Sequence, residues 1–341
     1  MTYGVVHGGL QPAELEALGI AASSVLDLSA SLNPRGPHSS VLVAAANADL
    51  RRYPPAHAEP LRDALAERSG LGPEQVLVTP GATAAIHLAA RALLSTGDAC
   101  RIFPPTFGEY EAAARAAGAR IVDGRSDDDV TLTVLCNPNN PTGEYLGRRR
   151  TEEVVTRATA PGGVLLLDVA YDPFVDGAWN ADDLVRERQR VLVVHSTTKL
   201  HAVPGVRLGY VTGPAGLIGR LAELQPSWSV SSTAIAVGLA ALRVDEQQRW
   251  AVAEVTRGRA ELTSTLRTAD IEVRDSRANF VLVRVGDAPS FRTRLLRRGF
   301  AVRDCTSFGL SDWVRVAIPP EGALTRLGRA FIEAYREAPP Q

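Results

Sequence analysis

The chain contains little cysteine. The only cysteines among its 341 residues are Cys100, Cys136 and Cys305. They are too few and too far apart for a disulfide framework or a zinc site of four cysteines. This cysteine usage fits a reducing cytoplasm best, and we expect the protein there. The histidines are also scattered without the spacing of metal ligands, so we predict no metal site; they are His7, His38, His57, His87, His195 and His201.

Neither sign of charge is in excess. Lys and Arg number 37 and Asp and Glu 38, and this balance argues against general nucleic-acid binding, which needs a basic surface. Long apolar runs are lacking too: Ala234–Leu242 is far shorter than the ~20 residues of a membrane-spanning helix. Because this run contains Gly238 and precedes Arg243, it predicts a buried helix. Residues Met1–Gly9 lack a basic region before an apolar stretch, so we expect no signal peptide and no membrane segment.

Several motifs of common enzyme classes are absent. The sequence has no G-x-x-x-x-G-K-[ST] phosphate loop, no G-x-G-x-x-G, no G-x-S-x-G and no H-E-x-x-H. Nothing in it therefore points to a nucleotide enzyme, a serine hydrolase or a zinc enzyme.

Short apolar runs alternate with helical patterns over the first two thirds of the chain. Some runs, such as Val164–Leu167, are continuously apolar, which is typical of strands covered on both faces. The alternation predicts an α/β fold with a mainly parallel, doubly wound sheet. The predicted strands are Gln75–Thr79, Arg101–Pro104, Arg120–Asp123, Val130–Cys136, Val164–Asp168, Val191–His195 and Leu208–Thr212.

The pattern changes after about Pro226. A long helical region from Ser232 to Thr268 precedes four short strand-like pieces and a final helix near Leu324–Arg336, which predicts a smaller α+β domain. We therefore divide the chain into an N-terminal segment at 1–25, a large domain at 26–230 and a small C-terminal domain at 231–341. The N-terminal segment could pack on either domain.

Polar loops follow four of the predicted strands, and in a parallel sheet such loops meet at one edge and form a ligand crevice. The first, Pro80–Thr83, could bind a phosphate at a helix N-terminus or be an ordinary glycine turn. The second, Asn137–Gly143, could aim an asparagine into the crevice or be a turn-rich connection. The third places Asp168 at the end of an apolar strand, as a buried carboxylate or a helix cap. The fourth carries Lys199, a candidate Schiff-base nucleophile, although most lysines are solvated.

Together and in this order, these elements resemble the aspartate-aminotransferase-like superfamily of pyridoxal phosphate (PLP) enzymes, fold type I. The resemblance extends from about Leu26 to Leu327. It is carried by Gly81-Ala82-Thr83, Pro105-Thr106-Phe107, Asn140-Pro141-Thr142-Gly143, Asp168–Tyr171, Ser196–Lys199 and Arg207.

The resemblance implies a role for each matched residue. Lys199 would form the Schiff base with PLP and move protons, Asp168 would pair with the pyridinium nitrogen, and Phe107 would stack on the ring. Asn140 and Tyr171 would bind the phenolate oxygen of the cofactor. The cofactor phosphate would be bound by Ala82, Thr83, Ser196, Thr198 and Arg207.

Two further positions match residues that bind the cofactor phosphate or the substrate carboxylate in relatives. Tyr53 matches a tyrosine that reaches the cofactor phosphate across a dimer interface, which implies a homodimer. Arg315, in Trp313–Ala317, matches the arginine that binds the substrate α-carboxylate. A surface arginine is the alternative, but its apolar neighbours favour a buried functional group.

Two N-terminal segments and two later ones resemble the L-threonine-O-3-phosphate decarboxylase branch of cobalamin biosynthesis. This branch is close to the histidinol-phosphate aminotransferases. The resemblance lies in His7-Gly8-Gly9, Leu26–Pro37, Gln225–Val230 and Val302–Cys305. Both groups act on a phosphorylated amine, so the substrate phosphate needs its own site. We predict His7, Arg303 and Asn33 for it.

Some positions depart from the branch. Val169 and Ala84 replace acidic residues common in relatives, and Ser231 replaces an asparagine. These departures leave open a PLP-dependent aminotransferase of class I/II with a substrate similar to histidinol phosphate. A non-catalytic protein that has kept the fold and a nucleotide-binding protein are the remaining alternatives.

Overall fold

The β-strands of the described residues form three sheets. A computed structural model describes residues 5–126, 128–160, 162–188 and 190–337. The strands in these ranges are β1 (Leu26–Asp27), β2 (Val76–Thr79), β3 (Ala99–Ile102), β4 (Arg120–Asp123), β5 (Leu132–Cys136), β6 (Val164–Asp168), β7 (Val191–Ser196), β8 (Gly209–Thr212), β9 (Val273–Arg274), β10 (Phe280–Arg284), β11 (Phe300–Ala301), β12 (Arg303–Asp304) and β13 (Trp313–Ala317).

Helices connect and cover these sheets. In the same ranges they are α1 (Pro12–Leu18), α2 (Ser39–Ala46), α3 (Glu59–Ser69), α4 (Ala82–Leu93), α5 (Glu109–Ala116), α6 (Arg148–Thr159), α7 (Asp182–Glu187), α8 (Thr197–His201), α9 (Ala215–Leu224), α10 (Ser232–Ala241), α11 (Asp245–Thr268), α12 (Ala288–Leu296) and α13 (Glu321–Arg336). None of the helices in the described residues is both long and apolar enough to cross a membrane.

The largest sheet has seven strands in the order β2-β8-β7-β6-β5-β3-β4. Strand β8 runs antiparallel to both of its neighbours, β2 and β7, whereas the other pairs are parallel. The prediction of a mainly parallel α/β sheet is confirmed. The one reversed strand was not predicted, because an apolar run does not report its direction.

Side chains of β6 alternate between two apolar layers. Leu166 packs in the cluster that contains residues of α4, α5 and α9, whereas Leu165 and Leu167 pack in the cluster that contains residues of α6 and α7. All three leucines are fully buried. Cover on both faces explains why the strand is continuously apolar and makes the sheet doubly wound.

A four-stranded antiparallel sheet, β12-β13-β10-β9, lies in the C-terminal part of the chain. It packs with α11, α12 and α13 around Phe291 and Phe331. The helical region predicted over 232–268 is two helices, α10 and α11, which are separated at Leu242–Val244.

The N-terminal segment packs against this C-terminal part. Leu15 of α1 contacts the cluster of Leu296 and Ala301, and β1 pairs in parallel with β11. Residues 26–27, which the sequence assigned to the large domain, therefore share a sheet with residues 300–301. Residues 1–4 and 338–341 lie outside the described ranges, and the boundaries at 25/26 and 230/231 stay predictions.

Candidate active site

A cavity of about 460 Å³ opens where β2, β5, β6 and β7 end. Its lining includes thirteen of the fifteen predicted site residues. They are His7, Ala82, Thr83, Phe107, Asn140, Asp168, Tyr171, Ser196, Thr198, Lys199, Arg207, Arg303 and Arg315. The crevice expected at the carboxyl edge of a parallel sheet is therefore the place where these residues meet.

The amine of Lys199 lies in this cavity on the short helix α8. Its Nζ donates a hydrogen bond to the carbonyl of Ala30 at 3.2 Å and lies 5.7 Å from the centre of the Tyr171 ring. In the described residues, no carboxylate forms an ion pair with Nζ. A lysine amine that faces a cavity and forms no close ion pair among the described residues is available to react with an electrophile.

Asp168 ends β6 and is buried. Its Oδ2 accepts a hydrogen bond from the Tyr110 hydroxyl at 2.7 Å, and its Oδ1 accepts one from the Ala170 amide at 2.9 Å. Burial raises the pKa of this carboxyl, while the hydrogen bonds from Tyr110 and Ala170 lower it. A buried carboxylate that accepts two hydrogen bonds can also form an ion pair with a cationic group bound in the cavity.

One corner of the cavity is suited to an anion. Gly81 has φ +92° and directly precedes α4, whose first residues expose free backbone N–H groups. A Cβ at this position would lie 2.7 Å from Nη2 of Arg207, so a side chain there would displace the guanidinium. Ser196 and Thr198 line the same cavity. This corner combines a helix N-terminus and an arginine, which suits a phosphate.

Arg315 lies on β13 with its guanidinium buried. Its Nη1 donates to Oδ1 of Asn140 and its Nη2 donates to the Ser29 carbonyl at 2.7 Å, while Nε is buried without a partner. The guanidinium also lies 5.1 Å from the centre of the Phe280 ring. The cation is thus held in place by neutral groups.

Arg303 lies directly opposite Arg315 in the β12–β13 register. Its Nη2 donates to the Val6 carbonyl at 2.8 Å and to the Ser307 hydroxyl at 2.7 Å. Burial lowers the pKa of Arg303, and the charge of Arg315 lowers it further. Neither arginine has a carboxylate partner in the part of the chain that the structure describes. Two uncompensated cations in one cavity favour an anionic ligand.

His7 is held at the cavity by a carboxylate. Its Nε2 lies 2.9 Å from one oxygen of Glu109, and Nε2 of His87 lies 2.9 Å from the other oxygen. The His7 ring is 5.8 Å from the ring of Phe107, centre to centre. Phe107 in turn meets Tyr110 edge to face at 5.5 Å.

Two predicted site residues are not part of the cavity lining. Asn33 is buried, and its amide is used locally: Nδ2 donates to the Leu200 carbonyl at 2.8 Å, and Oδ1 accepts from the Arg35 amide at 3.1 Å. Tyr53 is 83% exposed and packs on Trp228, with ring centres 5.1 Å apart. The predicted contact of Asn33 with a substrate phosphate has no support in this geometry.

The structure also adds cavity residues that the sequence did not suggest. Tyr110 lies on α5, three residues after Phe107, and looks like an ordinary core residue in the sequence. Ser307 and Phe308 line the cavity beside Arg303. Ser29 and Ala30 act through their backbone carbonyls, which no side-chain pattern reports.

Comparison with known proteins agrees with this architecture. Residues 23–331 match the family model described as aminotransferase class I and II. A histidinol-phosphate aminotransferase from Methanococcoides burtonii is 33% identical over 336 residues, 92% of this chain and 91% of that protein.

Solved structures share the fold. The L-threonine-O-3-phosphate decarboxylase of Porphyromonas gingivalis is 26% identical with a TM-score of 0.83, over 92% of this chain and 100% of that one. The histidinol-phosphate aminotransferase of Sinorhizobium meliloti, solved in complex with pyridoxal-5'-phosphate, is 21% identical with a TM-score of 0.84, over 96% and 95%. The matching family model and the relative that is 33% identical show that the chain belongs to the class I and II aminotransferase family.

Proposed function

We propose that this protein is a PLP-dependent enzyme for a phosphorylated amino acid, and that it decarboxylates L-threonine O-3-phosphate. The product would be (R)-1-aminopropan-2-yl phosphate, as in cobalamin biosynthesis. One observation carries the substrate class: Arg303 and Arg315 face one cavity, and neither has a carboxylate partner among the described residues.

The residues present fit PLP. The anion corner at Gly81 and Arg207 suits its phosphate, the buried Asp168 suits a protonated ring nitrogen, and the Lys199 amine suits its aldehyde. When bound, PLP withdraws electrons from bonds at the substrate Cα.

The other groups would hold PLP in one orientation. Ala82, Thr83, Ser196 and Thr198 would add donors for the phosphate, and Phe107 would cover one face of the ring. Asn140 and Tyr171 would bind the phenolate oxygen.

The cationic pair would orient the substrate. Arg315 would donate hydrogen bonds to the α-carboxylate from the N–H groups in the plane of its guanidinium, and Arg303 with His7 would bind the phosphate. Lys199 would carry a proton to or from Cα. These contacts select an amino acid that bears two anionic groups.

Decarboxylation and transamination differ in which substrate bond stands perpendicular to the cofactor ring. A decarboxylase turns the carboxylate out of the ring plane, whereas an aminotransferase turns the Cα–H bond toward the lysine. Both need Arg315, so a rotation of the substrate decides between them.

An aminotransferase acting on histidinol phosphate or a similar compound is the second candidate. The relative that is 33% identical carries that name, and the family model describes aminotransferases. On these comparisons it fits at least as well as the decarboxylase.

A single-turnover experiment separates the two. Purified enzyme loaded with PLP is mixed with L-threonine O-3-phosphate while the spectrum is recorded and carbon dioxide is trapped. Carbon dioxide release with return of the starting spectrum supports the decarboxylase. Conversion to the pyridoxamine form without carbon dioxide supports an aminotransferase, which is then tested with histidinol phosphate.

We also propose a homodimer in which Tyr53 reaches the partner's cofactor phosphate. The exposure of Tyr53 and its contact with Trp228 support an interface there. Co-expression of K199A with Y53A tests it: a mixed dimer would contain one complete site, so random pairing restores about a quarter of wild-type activity. No recovery would contradict the shared site.

A further inference from the structure

We infer that Asn279 is a positioning residue that sets the backbone contacts of Lys199 and Arg315. Asn279 immediately precedes β10 and is fully buried. It touches neither side chain through a hydrogen bond. Its action would run through residues 29–33, called here the 29–33 segment. This inference rests on the proposed function only in giving Lys199 and Arg315 their roles.

The 29–33 segment contacts both functional side chains through consecutive carbonyls. The Ser29 carbonyl accepts from Nη2 of Arg315 at 2.7 Å, and the Ala30 carbonyl accepts from Nζ of Lys199 at 3.2 Å. The Asn33 amide then donates to the carbonyl of Lys199 at 3.0 Å. The positions of the amine and the guanidinium therefore depend on the path of this backbone.

Asn279 holds the backbone of the 29–33 segment at Ser31, the residue with the least favourable backbone conformation. Ser31 has φ +47°, a left-handed conformation that residues with a Cβ rarely adopt. The amide nitrogen of Asn279 donates to the Ser31 carbonyl at 2.9 Å and to the Leu32 carbonyl at 3.2 Å. Both hydrogens of the amide are used to hold two successive carbonyls of the segment.

The location of Asn279 links the segment to the arginine strand. Its carbonyl accepts from the Ile318 amide at 2.9 Å, directly after β13, and the next residue, Phe280, lies against the Arg315 guanidinium. One side chain thus ties the left-handed turn to the sheet that carries Arg315. Without it, Ser31 can relax and the Ser29 and Ala30 carbonyls can move.

The test compares the full-length wild type with N279A, S31G/N279A and a control, Q225A. Gln225 is also a buried amide, and it donates to the Val78 carbonyl at 2.9 Å away from the cavity. Two quantities are measured: the rate at which PLP attaches to Lys199 in the apoprotein, trapped with borohydride and located by mass spectrometry, and the KM and kcat of the loaded enzyme.

We expect N279A to attach PLP about tenfold more slowly and to raise the KM for a carboxylate substrate by a similar factor, since small displacements of reacting groups have large effects. Glycine adopts the left-handed conformation freely, so S31G/N279A should recover most of both losses. Q225A should stay within about twofold of wild type. If N279A does not fold, N279D, which keeps the volume of the side chain and loses two donors, replaces it.

Two results would overturn the inference: N279A that behaves like Q225A, or losses that S31G does not restore. Failure of the wild type itself to attach PLP at Lys199 would overturn the proposed function together with this inference. The two results named first would overturn the inference and leave the proposed function standing, because the wild type would still attach PLP at Lys199.

Discussion

Arg303 and Arg315 form a cross-strand pair whose guanidinium groups face the same cavity. Like charges at directly opposed positions destabilise a sheet, and burial makes the repulsion stronger. The lowered pKa of Arg303 has this origin, with burial first and Arg315 second. A ligand with two anionic groups would remove the repulsion, so under the proposed function the pair would help to determine substrate choice.

Replacement of Arg303 should lower activity on the phosphorylated substrate much more than activity on the unphosphorylated one. A hydrogen bond to a charged group is worth about 1.5–3 kcal/mol, so R303A should lower kcat/KM for L-threonine O-3-phosphate by about 10- to 150-fold. For unphosphorylated L-threonine the loss should be only a few-fold. Steady-state kinetics with the two substrates measure the difference.

The matched control for this variant is R284A. Arg284 is an exposed arginine on β10, in the same sheet, and it pairs with Glu272 and Asp312. Its loss should affect both substrates equally and slightly. Equal losses for the two substrates in R303A would sink the assignment of Arg303 to the phosphate.

Glu109 should act on the substrate only through His7. The Glu109 carboxylate bridges His7 and His87, and His7 is half exposed, so the contact is worth a modest amount. We expect E109Q to raise the KM for the phosphorylated substrate by about two- to fivefold with little change in kcat. In an H7A background the same change should have no further effect.

E111Q is the control for E109Q, because Glu111 lies on the same helix and pairs with the exposed Arg115. Additive effects of H7A and E109Q would show that Glu109 does not work through His7.

Tyr110 should set the acid limb of the pH profile. Its hydroxyl donates to Asp168 and lowers the pKa of that carboxyl against the effect of burial. Y110F therefore raises this pKa, because the carboxylate loses a hydrogen bond that favours its charged form. Activity that needs ionised Asp168 is lost as pH falls through the pKa, so the acid limb should move to higher pH.

The control is Y145F. Tyr145 is partly buried outside the cavity, and its hydroxyl accepts from the Trp179 amide at 3.3 Å. The pH dependence of kcat/KM is the measurement. An acid limb in Y110F that coincides with that of wild type would argue against control of Asp168 by Tyr110.

The site was predicted best from the sequence where a strand is followed by a polar loop. Asp168 and Lys199 follow the apolar runs of β6 and β7, Asn140 lies in the loop after β5, and the carboxyl ends of parallel strands meet at one edge of the sheet. The family resemblance then gave these residues their expected roles. Arg315 was predicted from its match and from its apolar neighbours, and its burial agrees.

Contacts that depend on the backbone or on long-range packing could not be predicted. The Ala30 carbonyl meets Lys199 across 169 positions of sequence, and nothing in the identity of an alanine indicates it. The direction of β8 and the local use of the Asn33 amide also depend on how the elements pack. Tyr110 reaches Asp168 only because α5 lies beside the end of β6.

The final prediction concerns Asp172, which follows Tyr171 and faces a second cavity that it shares with His195. In the described residues its carboxylate accepts no hydrogen bond. Burial raises its pKa to about 7, against the opposing effect of His195. The native state thus favours the protonated carboxyl of Asp172, whereas the unfolded chain ionises it near pH 4.

The sign of the effect follows from proton binding. Between about pH 4 and pH 7 the native state holds a proton that the unfolded state has lost, so the contribution of Asp172 to stability falls as pH rises. D172N cannot ionise and escapes this loss. At about 1.4 kcal/mol per pKa unit, D172N should gain roughly 2–4 kcal/mol over wild type between pH 4 and pH 8.

Urea denaturation of wild type and D172N at several pH values measures this gain. D176N, at an exposed aspartate four residues later, provides the control for removal of a nearby carboxylate. A D172N difference that does not change with pH, or that changes no more than the D176N difference, would contradict a raised pKa of Asp172. A D172N difference that grows with pH beyond that of D176N would support a protonated carboxyl in the second cavity, because the gap grows with pH only when the native-state pKa lies above the unfolded one.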